Sequence, residues 1–268
     1  MTNSLVCRTG LKAALILLRC NIRMSSIPTL SPTLALRSGW PLLLGLLLTL
    51  GWDALGLDLV VMRWLGDAHG FALRDHWWLS VALHDKARQI STIVYLCLWL
   101  MVAWPVGSWR ALPHWQRWEM ALGTTLCLLA VNTIKRHSLT SCPWDLSLFG
   151  GVAQYVSHWQ WGVADGGPGV CFPGGHASAA FAFWPMALVW RAHKPQRPVP
   201  WVLAIGAVGL LFGAVQTLRG AHYPSHTLWT ALICATVALL NHGLFLQWRR
   251  SVAGVLVPSH TQAQQPPH

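Results

Sequence analysis

The chain has 268 residues, 54% of them hydrophobic and only 10% charged, with a mean hydropathy of +0.43. A soluble domain carries about 25% charged residues, so this composition argues against water and for lipid as the main solvent. The net charge of +11 does not imply nucleic acid, because the basic residues lie between apolar runs rather than on one soluble face. Seven cysteines without a CxxC pair argue against a zinc ribbon or a dithiol redox site.

Residues 1–38 read as a basic, Ser/Thr/Pro-containing cytoplasmic lead. Its apolar stretch Leu11–Leu18 is too short to cross a bilayer, and Met24 is an alternative start. Six apolar runs follow and predict an all-α, polytopic membrane bundle over residues 39–248. They are Pro41–Leu59, Ile90–Val106, Trp118–Ile134, His176–Trp190, Val199–Leu218 and Thr227–Leu246. Pro185 is expected to kink the fourth. Between the first two, Arg63–Arg88 reads as an amphipathic helix on the membrane surface. Many of the 18 tryptophans, Trp40, Trp109, Trp118, Trp201 and Trp248 among them, flank apolar runs, as interfacial indoles do. Residues 249–268 read as a disordered polar tail.

Basic residues sort to one side. Arg8, Lys12, Arg19, Arg23 and Arg37 precede the first run, and Arg110 and Arg117 separate the second from the third. Arg191, Lys194 and Arg197 separate the fourth from the fifth, and Arg249–Arg250 follow the sixth. The positive-inside rule then puts both termini in the cytoplasm.

Three polar segments fall on the opposite, external side. The first, Lys135-Arg-His-Ser-Leu-Thr-Ser-Cys-Pro143, places Lys135 and Arg136 at a helix end. There they can hold an anion or simply snorkel to the interface. The second, Cys171-Phe-Pro-Gly-Gly-His-Ala-Ser178, sets Gly175 and His176 before a helix, where free backbone N–H groups suit phosphate. It can equally be a plain turn. The third runs from Gln216 through Arg219 and His222 to His226, with Pro224 and Ser225 suited to a helix start. Histidines four apart can ligate a metal, but no neighbouring ligand set completes itself, so neither a metal nor another cofactor is expected.

Taken together, these segments resemble the type-2 phosphatidic acid phosphatase (PAP2) superfamily of membrane lipid phosphatases, whose signature is K-x6-R-P, P-S-G-H and S-R-x5-H-x3-D. Lys135 and Pro143 match the first motif, with Cys142 in the arginine position. Pro173, Gly175 and His176 match the second, with Gly174 for serine. His222 matches the third, with Gln216 in the arginine position and His226 in the aspartate position. The resemblance implies a nucleophilic His222, a general acid His176 and a phosphate ligand Lys135. Arg136 and Arg219 can stand in for the missing arginines, and His226 or Asp145 for the aspartate that orients the nucleophile.

Cys142 and Cys171 can form a disulfide in an oxidising periplasm, or remain two thiols. The implied activity is metal-independent hydrolysis of a lipid phosphate or diphosphate at the periplasmic face of a bacterial inner membrane. Transfer of phosphate between lipids, and binding without turnover, are the alternatives. The partners implied are a lipid phosphate and the membrane, with no nucleic acid; oligomeric state is left open.

Overall fold

The computed structural model describes residues 32–193 and 199–256. The basic lead up to residue 31, residues 194–198 with Lys194 and Arg197, and the residues beyond 256 lie outside the described residues. The chain divides into two units, Met1–Trp40 and Pro41–His268. Of the first, residues 32–40 are helical; the second holds everything that follows.

The helices are α1 (Pro32–Ala54), α2 (Leu57–Leu65), α3 (Ala87–Ala103), α4 (His114–His137), α5 (Ser178–Phe181), α6 (Trp184–His193), α7 (Val199–Leu218) and α8 (Pro224–Leu256). Two of them, over Pro200–Leu218 and Pro224–Val252, are long and apolar enough to cross a membrane. The bent pair Gly39–Ala54 and Leu57–Leu65 makes a third if it counts as one span. The six runs expected from sequence therefore become a mostly helical protein with two to three candidate spans among the described residues.

The differences have local causes. The first run breaks where Gly56 takes a left-handed conformation (φ 62°), and the two halves meet at 69°. In the fourth, Pro185 does not kink a continuous helix. The chain breaks after α5, and Pro185 becomes the second residue of α6, where a missing N–H costs nothing. The segment Arg63–Arg88 is not one amphipathic helix. It holds the end of α2, a two-residue antiparallel hairpin (β1 Gly66–Asp67, β2 Gly70–Phe71) and a π-helical stretch Trp78–Lys86 that runs directly into α3. The first residues of the expected disordered tail are helical, since α8 continues to Leu256.

Helix α4 is the centre of the bundle. It packs on α3, α6 and α8 around Leu98, Met120, Cys127, Val131, Met186 and Cys234. Small residues let the helices approach closely. A Cβ on Gly209 would strike Phe181, and one on Gly213 would strike Thr227, so α7 lies tight against α5 and α8. Outward, Leu47, Leu48, Leu96, Leu129, Leu203, Leu210, Leu240 and Leu244 are exposed. An apolar surface of that extent is unfavourable in water and consistent with membrane association.

The start of α8 is tied to the α1–α2 bend. Ser225 donates to Asp58 from its backbone N–H (3.0 Å) and its hydroxyl, and Trp52 Nε1 donates to the same carboxylate (2.8 Å). Asp58 thus caps, from another helix, the N–H groups that a helix start leaves free. Nearby, Asp53 Oδ2 accepts Trp229 Nε1 (2.8 Å) and Trp159 Nε1 (3.0 Å). Replacing Asp58 with alanine strands three donors at once, the two of buried Ser225 and the half-buried indole of Trp52. We expect a loss of roughly 3 kcal/mol of stability, read as a lower thermal midpoint in detergent, with Asp58→Asn intermediate. An unchanged midpoint in Asp58→Ala would show that the cap carries no stability.

Candidate active site

Helix α4 ends on Lys135, Arg136 and His137, where cations suit the carbonyl end of a helix. Lys135 turns inward along Gly175: a Cβ there would lie 3.5 Å from Lys135 Cδ. Its Nζ points to the Cys171 carbonyl at 3.5 Å. Burial pushes the Lys135 amine down to about 8. Arg136, next along the turn, is exposed and is not drawn into the group.

The loop from α4 to α5 is held by its own polar groups. Asp165 accepts from the Ser141 backbone (2.5 Å) and hydroxyl (2.8 Å) and from Gly167 N (3.0 Å). Val170 N and Cys171 N pair with the carbonyls of Ser138 and Thr140 at 2.8 and 3.0 Å. This pairing sets the first motif alongside the second, and Cys142 and Cys171 are joined by a disulfide. The glycine turn then docks on α8, with Gly174 N donating to His226 O (3.1 Å) and Thr230 Oγ1 to Gly174 O (3.0 Å).

The third segment closes the group. After α7, the N–H groups of Ala221 and His222 return to Gln216 O at 2.9 and 3.3 Å. That turn places the His222 ring 6.2 Å from the His176 ring and 5.8 Å from the His226 ring, centre to centre. Lys135, His176 and His222 therefore meet, although 41 and 46 positions separate them in sequence. Burial, reinforced by Lys135, His226 and His176, pushes His222 well below the usual imidazole range, so it is neutral at pH 7. A neutral imidazole with a free ring nitrogen is a competent nucleophile.

His226 is fully buried and does not point its Nδ1 at His222; that nitrogen meets the Cys171 carbonyl at 3.1 Å. Asp145 does not take the orienting role either. Its carboxyl accepts from Trp144, with Arg74 nearby. Arg219 is buried, and it donates Nε to Arg74 O (2.8 Å) and Nη1 to Gln216 Oε1 (3.3 Å). Its charge still reaches His176, as do those of Lys135 and Arg88.

Sequence reasoning missed His84 and Arg88. The π-helical stretch lays the His84 ring against His176, centroids 3.9 Å apart, and His84 Nδ1 pairs with Asp85 at 2.7 Å. The available signal was a His-Asp-Lys-Ala-Arg run, residues 84–88, inside a segment otherwise read as surface.

Two residue groups have metal-like donor sets among the described residues: Cys142, Cys171 and His222, and Asp53, Asp58 and His158. The disulfide occupies both thiols of the first. In the second, N–H and O–H donors already reach both carboxylates, an arrangement suited to hydrogen-bonded cross-links rather than to a cation.

Fold and site thus define a helical protein with an apolar exterior and a buried cluster in which Lys135 stands beside two neutral-leaning histidines. The profile of the PAP2 superfamily matches residues 116–250, and the chain belongs to that superfamily. Membership supports phosphatase-type activity, a phosphoric-ester hydrolase at the level of the family. No curated protein and no solved structure matches the chain.

Proposed function

We propose that this protein hydrolyses lipid phosphate or diphosphate esters at the external, periplasmic face of a bacterial inner membrane, without a metal, through a phosphohistidine. The observation that carries the reading is the convergence of Lys135, His176 and His222 at one end of a bundle with an apolar exterior. α1–α2, α3, α4, α5–α6, α7 and α8 would then form six crossings, the shorter ones helped by tilting and by burial among their neighbours. The termini would lie in the cytoplasm.

In the first half-reaction a His222 ring nitrogen attacks phosphorus, and a P–N bond forms as the P–O bond to the lipid breaks. His176, returned to its protonated form by the negative charge of the bound phosphate, donates that proton to the departing oxygen, which leaves as the lipid alcohol or, from a diphosphate, as the lipid monophosphate. In the second, His176 takes a proton from water, the resulting hydroxide attacks phosphorus, the P–N bond breaks and phosphate departs. Lys135, with the more distant charges of Arg88 and Arg219, offsets the negative charge on the transferred oxygens. A lipid substrate fits the site's position, since a headgroup at the membrane surface reaches it while the acyl chains remain among the exposed leucines.

Phosphate release from phosphatidic acid, phosphatidylglycerol phosphate, a polyprenyl diphosphate and lipid A, each with EDTA, tests the reading. Turnover of at least one is expected; none with any would overturn it. The same assay carries a pH signature. Lys135 is a cation below about 8 and loses its charge above it, so KM rises as pH passes through that value. Lys135→Gln is expected to lower kcat/KM about 10²-fold and to flatten that limb.

A further inference from the structure

The family motif puts a carboxylate at position 226 to orient the nucleophile; this chain has a histidine there, turned elsewhere. What faces the nucleophile instead is Cys171. Its Sγ lies 3.2 Å from His222 Nδ1 and 3.2 Å from Ala221 O. Its carbonyl meets His226 Nδ1 (3.1 Å) and Lys135 Nζ (3.5 Å) and is also a partner of the His222 ring, whose protonated nitrogen it favours. One fully buried residue thus touches three of the site's groups, and its sulfur is tied to Cys142.

A disulfide sulfur has no proton and presents only lone pairs. If Nδ1 were also bare, two lone pairs would oppose each other across 3.2 Å. Nδ1 therefore carries the ring proton, and Nε2 keeps the lone pair that can attack phosphorus. A free thiol has one S–H for two acceptors, the Ala221 carbonyl and Nδ1, both at 3.2 Å; when it turns to Nδ1, the ring proton moves to Nε2.

We propose that the Cys142–Cys171 disulfide is a positioning element that sets the tautomer of His222 in place of the absent carboxylate, so that a dithiol reductant turns hydrolysis down. This rests on the phosphohistidine reading above. Cys142 is the more exposed sulfur and the point of attack. The dithiol forms a mixed disulfide with it, Cys171 leaves as a thiolate and takes a proton, and the second reductant thiol then releases Cys142. Two electrons and two protons pass to the protein, and the reductant becomes a disulfide.

The test uses the full chain in detergent micelles, oxidised, treated with dithiothreitol, and then re-oxidised. Nitrogen-15 NMR of labelled histidines, with His222 assigned by its loss in His222→Gln, reads the tautomer without substrate. Phosphatidic acid turnover is followed alongside. The expected result is a proton on Nδ1 when oxidised and on Nε2 when reduced. In parallel, kcat falls about 10²-fold, KM changes little, and re-oxidation restores both readings. Cys142→Ser should match the reduced protein; if it fails to fold, the dithiothreitol series on the native chain decides. An unchanged tautomer on reduction, or a loss confined to KM, would overturn the proposal. A protein that hydrolyses nothing defeats the phosphatase reading, while the NMR arm still decides the positioning role.

Discussion

His222→Ala is expected to abolish turnover, with kcat reduced by about 10⁴-fold or more, while substrate still binds. Neither neighbouring histidine can substitute for the ring. His176 is 6.2 Å away, and His226 is fully buried with its Nδ1 committed to the Cys171 carbonyl. Protein quenched in alkali after exposure to substrate carrying a radioactive phosphate should hold a base-stable, acid-labile phosphoryl group in the wild type and none in the variant. Wild-type-like turnover in His222→Ala would remove the nucleophile from the mechanism. Label without net release would favour transfer to a second lipid over hydrolysis.

His176→Ala carries the second large effect, and its size should depend on the substrate. A lipid alkoxide is a poor leaving group, so losing the proton donor costs about 10²–10⁴-fold. An aryl phosphate such as p-nitrophenyl phosphate leaves as a stable anion and needs little protonation, so the variant should lose far less there. Equal losses on both substrates would mean that His176 binds phosphate rather than protonating the leaving oxygen. His84, paired with Asp85 and tilted against His176 with centroids 3.9 Å apart, gives a graded companion. His84→Ala removes one face of the His176 ring and should shift the acid limb of the pH profile without erasing turnover.

The helical class and the meeting of Lys135, His176 and His222 were legible because each segment has local chemistry that survives folding: a cation at a helix end, glycines before a histidine, a histidine before a helix start. The fourth apolar run misled for a physical reason. A proline at the second residue of a helix leaves the same sequence trace as one inside it, and only the break after α5 separates the two. His84 and Asp58 were illegible because their partners, His176 and Ser225, stand 92 and 167 positions away. Nothing local marks a residue that serves a distant helix. His226 could be placed near the site from its spacing, but the direction of its Nδ1 depends on where the Cys171 carbonyl falls.

The superfamily profile begins at residue 116, yet the Asp58 cap, the Asp53 link to Trp229 and the His84 ring all come from upstream of it. Residues 53–84 are thus no interchangeable leader. Swapping them between diverged relatives would have to carry residues 58 with 225, 53 with 229, and 84 with 176 as matched pairs. A fragment cut at the profile's edge would keep the two reacting histidines and lose what holds the helix behind them in place.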